Sequence, residues 1–415
     1  MEDEIIGDLP ALESSFSEEV TPENSQVDAY EAEETLPGSI EEGFSEDGLV
    51  EEDFSGDIDF VEAANEDEDI TEKIPDLHFR AAVRENLKIG ENDPILASAC
   101  EAVTKLDVLA KEIESLEGIA YFPHLKELNC SLNRLTYLDL SGNDELESLS
   151  AYTYFLEKII ISEKAPLKYL DCSRNKLTSL DVSKYSDLFF LSCPYNGLTA
   201  LDVSNLPQLE YLICGLNQLT SLDVSKNTSL RSLDFAGNSI SSIDVSHNLL
   251  LINLNCESNN IKELDVRANT GLQYLVCSYN QISELDISQM KELQQLLCND
   301  NPLTDINIKN HTGLTSLNVS NLGLTELDLS PYEHLQFLFC SQNFLETLDV
   351  SKNLELEELS CGDNKLTSLD VSHNPKMWYL ECEDNQLTEL DIRNNPDMKF
   401  LYVTGNYFSI GGCYS

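Results

Sequence analysis

Bases are missing from the first sixth of this 415-residue chain: no lysine or arginine precedes Lys73. Over the whole sequence 25 bases face 75 acids, a net charge of −50. A surface that acidic repels phosphate backbones and anionic lipid headgroups, so nucleic-acid and membrane-surface partners are disfavoured. Nowhere do apolar residues run for the roughly 18 positions that a spanning helix needs, so no membrane insertion is expected. The opening residues MEDEIIGDLP carry neither a basic n-region nor an apolar h-region, and no signal peptide is expected in the chain. G-x-S-x-G, P-loop, H-E-x-x-H and G-x-G-x-x-G motifs are absent, which removes the common hydrolase, nucleotide and zinc-protease sites. The six histidines, His78, His124, His247, His311, His334 and His373, form no pair at metal-ligand spacing. Neither an enzyme nor a cofactor is expected. Twelve cysteines are too dilute for a small disulfide scaffold and need another explanation.

The acid is unevenly placed. Residues 1–72 hold 27 acids and no base, leaving 48 acids and 25 bases, a net of −23, for residues 73–415. A segment this charged, with scattered phenylalanines and no periodic apolar face, cannot bury enough surface to offset its ordering entropy. Residues 1–73 therefore read as an acidic disordered segment. Three similar snippets occur in it, Phe16-Ser17-Glu18, Phe44-Ser45-Glu46 and Phe54-Ser55-Gly56-Asp57. They fit either short binding motifs or, more economically, a solvated spacer.

From Leu125 the sequence recurs with a 21-residue period and the unit L-x-x-L-x-C-x-x-N-x-L-T-x-L-D-V-S-x-N-x-x. Its second leucine falls at Leu128, Leu149, Leu170 and onward to Leu401, and its asparagine is replaced only at Tyr154 and Leu322. This period and pattern are the leucine-rich repeat signature. In L-x-C the leucine and cysteine share the inward side of a strand, so stacked copies build a parallel β-sheet along one face of a solenoid. The asparagine stands where the chain leaves the strand, placed to satisfy backbone groups of its own and the adjacent turn. The ten-residue return carrying L-D-V has no room for a helix and two loops, so the return side is expected to be strand-like and the rod nearly straight.

Ten cysteines occupy the inward position, from Cys130 to Cys382. The other four repeats place Ala151, Phe235, Val319 and Val403 there, each exception four repeats after the last. Even spacing of the exceptions indicates duplication of a four-repeat block. Disulfides need Cβ atoms about 3.8 Å apart, against about 4.8 Å between in-register strands. A straight file of single thiols cannot converge on a zinc ion. Buried, reduced thiols acting as small apolar filler remain, with only Cys100 and Cys413 outside the file and open to reagents. The aspartates of L-D-V, Asp181 and Asp202 among them, read as local turn formers with the serine that follows two residues on; a calcium site would need denser ligation.

Residues 74–124 read as a helical N-terminal cap. Pro75-Asp76 opens a helix with Phe79, Val83 and Leu87 on one face and Gly90 at its end, and a second short helix is expected around 95–103. Leu106-Asp107-Val108 and Leu116-Glu117-Gly118-Ile119 then form one degenerate repeat, in which Leu106 precedes Leu128 by one residue more than a full period. The solenoid, about 14 repeats, spans 125–408, and residues 409–415 are a tail too short to cap it. The cap followed by LEGIAYFPHLKEL, together with a 21-residue unit bearing inward cysteine, resembles the internalin family of bacterial leucine-rich repeat proteins over residues 74–408. The resemblance implies an extracellular or cell-surface binding protein with an adhesin-like role, although neither signal peptide nor anchor is present in the chain as given.

The sequence thus describes a monomeric, non-enzymatic module whose sheet face takes a protein or carbohydrate ligand. An effector-type substrate-recognition platform and a structural surface spacer are the alternatives. Outward columns of the strands carry aromatics unevenly: Tyr169, Phe190 and Tyr211 in consecutive repeats, with Tyr195 near; then Tyr274 and Tyr279; Phe337 and Phe339; and Tyr379, Phe400 and Tyr402. Aromatic packing that merely supports the sheet competes with a binding role. Several large rings on a polar face, however, exceed what a soluble monomer normally exposes. Tyr169, Phe190, Tyr195 and Tyr211 are the expected hot spot. A stability measurement tests the reading of the cysteines: Cys256→Ala should lower the unfolding free energy less than Leu254→Ala, for which a loss of about 2–5 kcal/mol is expected.

Overall fold

A computed structural model describes residues 67–303, 306, 308–408 and 413–414. Fifteen short parallel strands pair in chain order into one sheet, from Lys105–Asp107 to Phe400–Tyr402. The degenerate repeat is the first rung, with Leu106 opposite Leu128, and from there leucine pairs with leucine in strict repeat register. Inward leucines and cysteines form one continuous buried core. Every ladder cysteine is fully buried and none is in a disulfide. Burial pushes the thiols up, Cys277 and Cys340 to about 12. Ala151, Phe235 and Val319 are buried in the same file.

Each strand exit is closed by its asparagine. Asn196 donates from Nδ2 to the Cys193 carbonyl of its own turn and to the Cys172 carbonyl of the turn before, both at 3.1 Å. Its Oδ1 accepts the Leu177 N–H at 2.9 Å. At the gap marked by Tyr154, Thr153 takes over: it is fully buried and its hydroxyl donates to Asn175 Oδ1 at 2.8 Å. At Leu322 the next asparagine compensates, Asn343 Oδ1 accepting the N–H groups of both Leu322 and Leu324.

The return side is extended and non-helical, but among the described residues regular pairing there is confined to Tyr137–Leu140 with Lys158–Ile161 and Leu390–Asp391 with Cys413–Tyr414. Elsewhere two successive turns interrupt the strand, as at Asn227 N–H to Val224 O and Leu230 N–H to Asn227 O. These turns enclose a second asparagine file: Asn227, fully buried, donates from Nδ2 to the Val203 and Leu206 carbonyls of the preceding turn, each at 2.8 Å. His311 fills the same place, its ring nitrogens facing Ile308 O at 3.1 Å and Ile287 O at 2.9 Å. The aspartates act locally, as expected: Asp181 and Asp202 each accept the N–H two residues on at 2.9 Å.

Helix α1 spans Leu77–Leu87 and α2 Ala97–Glu101. Asp76 caps α1 by accepting from His78 N and Phe79 N, and its second oxygen accepts from Glu114 N and Ser115 N, tying the helix to the degenerate repeat. Gly118 adopts φ +99°, and any Cβ there would fall 2.8 Å from the Lys73 carbonyl, so only glycine fits.

Four expectations need correction. Helix α1 ends at Lys88, which takes the left-handed conformation at φ 55°, so Gly90 is not the terminator. The acidic segment does not stay free up to residue 73: Ile70 is fully buried, its N–H bonds Ile95 O at 2.8 Å, and Ile95 N–H bonds Thr71 Oγ1. Ile70 and Ile74 supply apolar surface that charge alone concealed. The remaining expectation for that segment, residues 1–66, lies outside the described residues. Cys100 is also buried, its thiol raised to about 11 by desolvation and then by Asp67. Finally, the tail extends the return side through Cys413–Tyr414.

Burial of the thiols sets their reactivity: eleven cysteines, Cys100 included, should react with a thiol reagent only after denaturation. The return-side aspartates lie below their ordinary values because serine and backbone donors hold the anion, Asp244 through Ser246 and Asp265, down to about 2, through Arg267. Such groups contribute fully above about pH 4 and lose their contribution as pH falls through the folded values. Asp234 and Glu257, raised first by burial, act in the opposite sense, but they are two against a file. The melting temperature should therefore fall between about pH 5 and pH 2.

Candidate binding face

The residue before each inward leucine points out of the sheet, and strand register brings equivalent residues side by side. Tyr169 and Phe190 consequently stack at 4.5 Å with 8° between ring planes, and Phe190 meets Tyr211 at 6.1 Å and 38°. All three are half-buried. Burial, and next the Asp171 carboxylate, raise the Tyr169 phenol, whose hydroxyl has Ser150 as a partner. Beside this ladder runs a file of charges that neutralise one another: Glu147 bridges Lys126 at 3.4 Å and Lys168 at 2.6 Å, and Glu210 meets Arg231 at 3.2 Å. Phe189 interrupts that file and is exposed.

Tyr195 is not part of the ladder. It stands where the chain turns out of the strand, and the Arg174 guanidinium lies 4.9 Å over its ring. A second group of rings gathers Tyr379, Phe400 and Tyr402 with Trp378, at centroid distances of 5.6–6.3 Å; Trp378 is missing from the expected set because it precedes the outward position. Tyr274 bonds Gln294 at 3.2 Å and Tyr279 is exposed on the turn, while Phe337 and Phe339 are half-buried on one strand. The eleven expected residues therefore form two ring clusters and a set of separate positions.

The backbone of the turn was not legible in the sequence. In each repeat a residue at the strand exit has positive φ: Leu132, Arg174, Tyr195, Leu216, Gly237 and onward to Gly405 just before the asparagine place, and in the second repeat Tyr154, which stands in that place itself. This conformation turns the chain so that the following asparagine reaches back to the strand carbonyl. It costs a bulky L-residue about 1–2 kcal/mol relative to right-handed backbone. Glycine would have signalled it, but only Gly237 and Gly405 stand in this column.

In-register parallel strands, an asparagine clip at the strand exits and a file of buried thiols define a leucine-rich repeat solenoid with a cysteine ladder. The functional domain of InlJ from Listeria monocytogenes, itself described as including a cysteine ladder, matches with a TM-score of 0.76 and 36% identity, over 82% of this chain and 76% of that one. The chain belongs to the internalin family. InlF, an internalin of the same organism, matches with a TM-score of 0.62 at 20% identity, over 84% of this chain and 99% of its own. YopM from Yersinia enterocolitica gives 0.55 at 24% identity, over 79% and 72%; these two share the fold. No protein-family model matches the chain, and no curated protein matches it. Among the described residues no helix is long and apolar enough to cross a membrane, and no group of three or more His, Cys, Asp or Glu side chains is placed to hold a metal ion.

Proposed function

We propose that this protein is a non-enzymatic binding module, secreted or held at a bacterial cell surface, that engages a protein ligand through its sheet face in an adhesin-like role. Membership of a family of repeat binding scaffolds supports the general reading. The observation that carries the site is the Tyr169–Phe190–Tyr211 ladder. Tyr169 and Phe190, stacked at 4.5 Å, use their faces on each other and leave their edges to solvent, with Tyr211 tilted by 38° beside them. A sugar packs its C–H face on an open ring face, whereas ring edges suit the faces of a partner's aromatic side chains and its backbone carbonyls. A protein loop is thus the better occupant, with Tyr195 at its margin. A structural spacer would not need three consecutive rings between Ser148 on one side and Ser232 and Asn253 on the other.

The full chain, immobilised and screened against glycans and host or neighbouring-cell surface proteins, should select a protein. The Tyr169→Ala, Phe190→Ala, Tyr211→Ala triple variant should then lose binding by several kcal/mol, at about 2 kcal/mol or more per anchor, with little change in unfolding midpoint. Retained binding alongside a collapse in stability would assign the rings to sheet support.

A further inference from the structure

The positive-φ column is not uniform along the rod. In the first five repeats it holds Leu132, Arg174, Tyr195 and Leu216, and in the second repeat the positive φ falls one residue later, on Tyr154 in the asparagine place; all are large L-residues in a conformation that favours glycine and asparagine. In the later nine it holds glycine, serine, aspartate, asparagine or glutamine, with Tyr279 the one exception. The large residues are not buried to repay the strain: Leu132, Tyr154, Tyr195 and Leu216 are 38–46% exposed. They lie on consecutive rungs, joined by hydrogen bonds such as Arg174 N to Pro194 O and Tyr195 N to Gly215 O. Exposed Phe155 extends the strip, with Lys176 5.6 Å over its ring, and Leu216 lies down over Gly237, where a Cβ would fall 2.6 Å from Leu216 Cδ2. Five rungs make a strip about 19 Å long.

Charge along the same edge also differs between the early and the late repeats. From the residue before each positive-φ position to the residue after the ladder asparagine, the first five repeats carry Arg174 and Lys176, together with Arg134, which pairs with Glu112 of the preceding turn at 3.5 Å, and no carboxylate. The later repeats carry Glu257, Asp300, Asp363, Glu383 and Asp384 against Lys365 alone. On a chain with excess acid, an apolar strip studded with bases complements an anionic partner.

We propose that the turn edge of the first five repeats is a docking strip for an acidic polypeptide segment of a partner protein bearing apolar or aromatic anchors. The strip adjoins the Tyr169–Tyr211 ladder and shares Tyr195 with it, so the proposal rests on the reading of that face as a binding surface and names the chemistry of the partner. Large side chains are kept in a disfavoured conformation because the partner's anchors pack on them, while Arg174 and Lys176 meet its carboxylates.

The test uses the full chain carrying Leu132→Asn, Tyr154→Asn and Leu216→Asn, which spares Tyr195 and the ladder. Asparagine tolerates left-handed backbone, so this variant should melt no lower than the parent. The probe is a fluorescent Glu-rich synthetic peptide containing phenylalanines, with Phe→Ala and Glu→Lys counterparts as controls, followed by anisotropy. The parent should bind the probe and discriminate against both controls, and the variant should bind it roughly tenfold more weakly or worse. Absence of probe binding, equal binding by parent and variant, or a lower melting temperature of the variant would overturn the proposal. The same variant and the ladder triple variant are then compared on the protein selected by the screen. Loss in the ladder variant alone leaves the binding face standing and removes the strip; loss in neither removes both.

Discussion

The structure depends on one repeated arrangement: a buried asparagine amide that bonds carbonyls of its own turn and of the turn before it. Asn196 does this through Cys193 and Cys172, and its oxygen holds Leu177 N–H. An unpaired buried peptide group costs about 1–3 kcal/mol, and a sharp turn under a packed core would leave several. The clip satisfies them by linking neighbours, so each turn is complete only when the next is in place. Stability is therefore shared along the stack, as expected of a quasi-one-dimensional solenoid.

That dependence explains the rest of the core. Residues must superpose at the strand spacing, so each inward place is filled by apolar side chains that pack on their equivalents above and below, and ten of fourteen repeats use cysteine in one of them. A thiol is small, apolar enough to be buried and held protonated by its surroundings, as the raised Cys277 and Cys340 show. Phe235 in the same file shows that the place is shaped by packing and not by sulfur chemistry. On the return side a second amide file performs the same linkage, and His311 can stand in because its two ring nitrogens face the same kind of carbonyls.

The register that aligns the core also aligns the surface. Outward residues one repeat apart become neighbours, so Tyr169 and Phe190 stack, and Lys126, Glu147 and Lys168 form one chain of ion pairs. A repeat protein thus writes its binding surface as columns. Here the columns differ between the two ends: an aromatic ladder beside an apolar, base-bearing turn edge in the early repeats, and an acidic turn edge later.

Period, solenoid class, sheet face and buried thiols were legible because they depend on spacing and on the size and polarity of side chains, which a linear sequence displays. The outward columns were legible for the same reason, and the Tyr169–Phe190–Tyr211 contact follows from register alone. Other features needed the chain in three dimensions. Ile70 lies at the end of an acidic run, and only its contact with the cap reveals it as core. Asn227 recurs at a fixed place of the 21-residue unit, but in sequence nothing there distinguishes a buried amide that bonds the preceding turn from a solvated turn former. Backbone φ at Leu132 or Tyr195 is imposed by the turn that the asparagine clip closes, against the preference of the residue itself. Local propensity cannot report a conformation that neighbouring turns enforce, so the strained edge belongs to the tertiary structure.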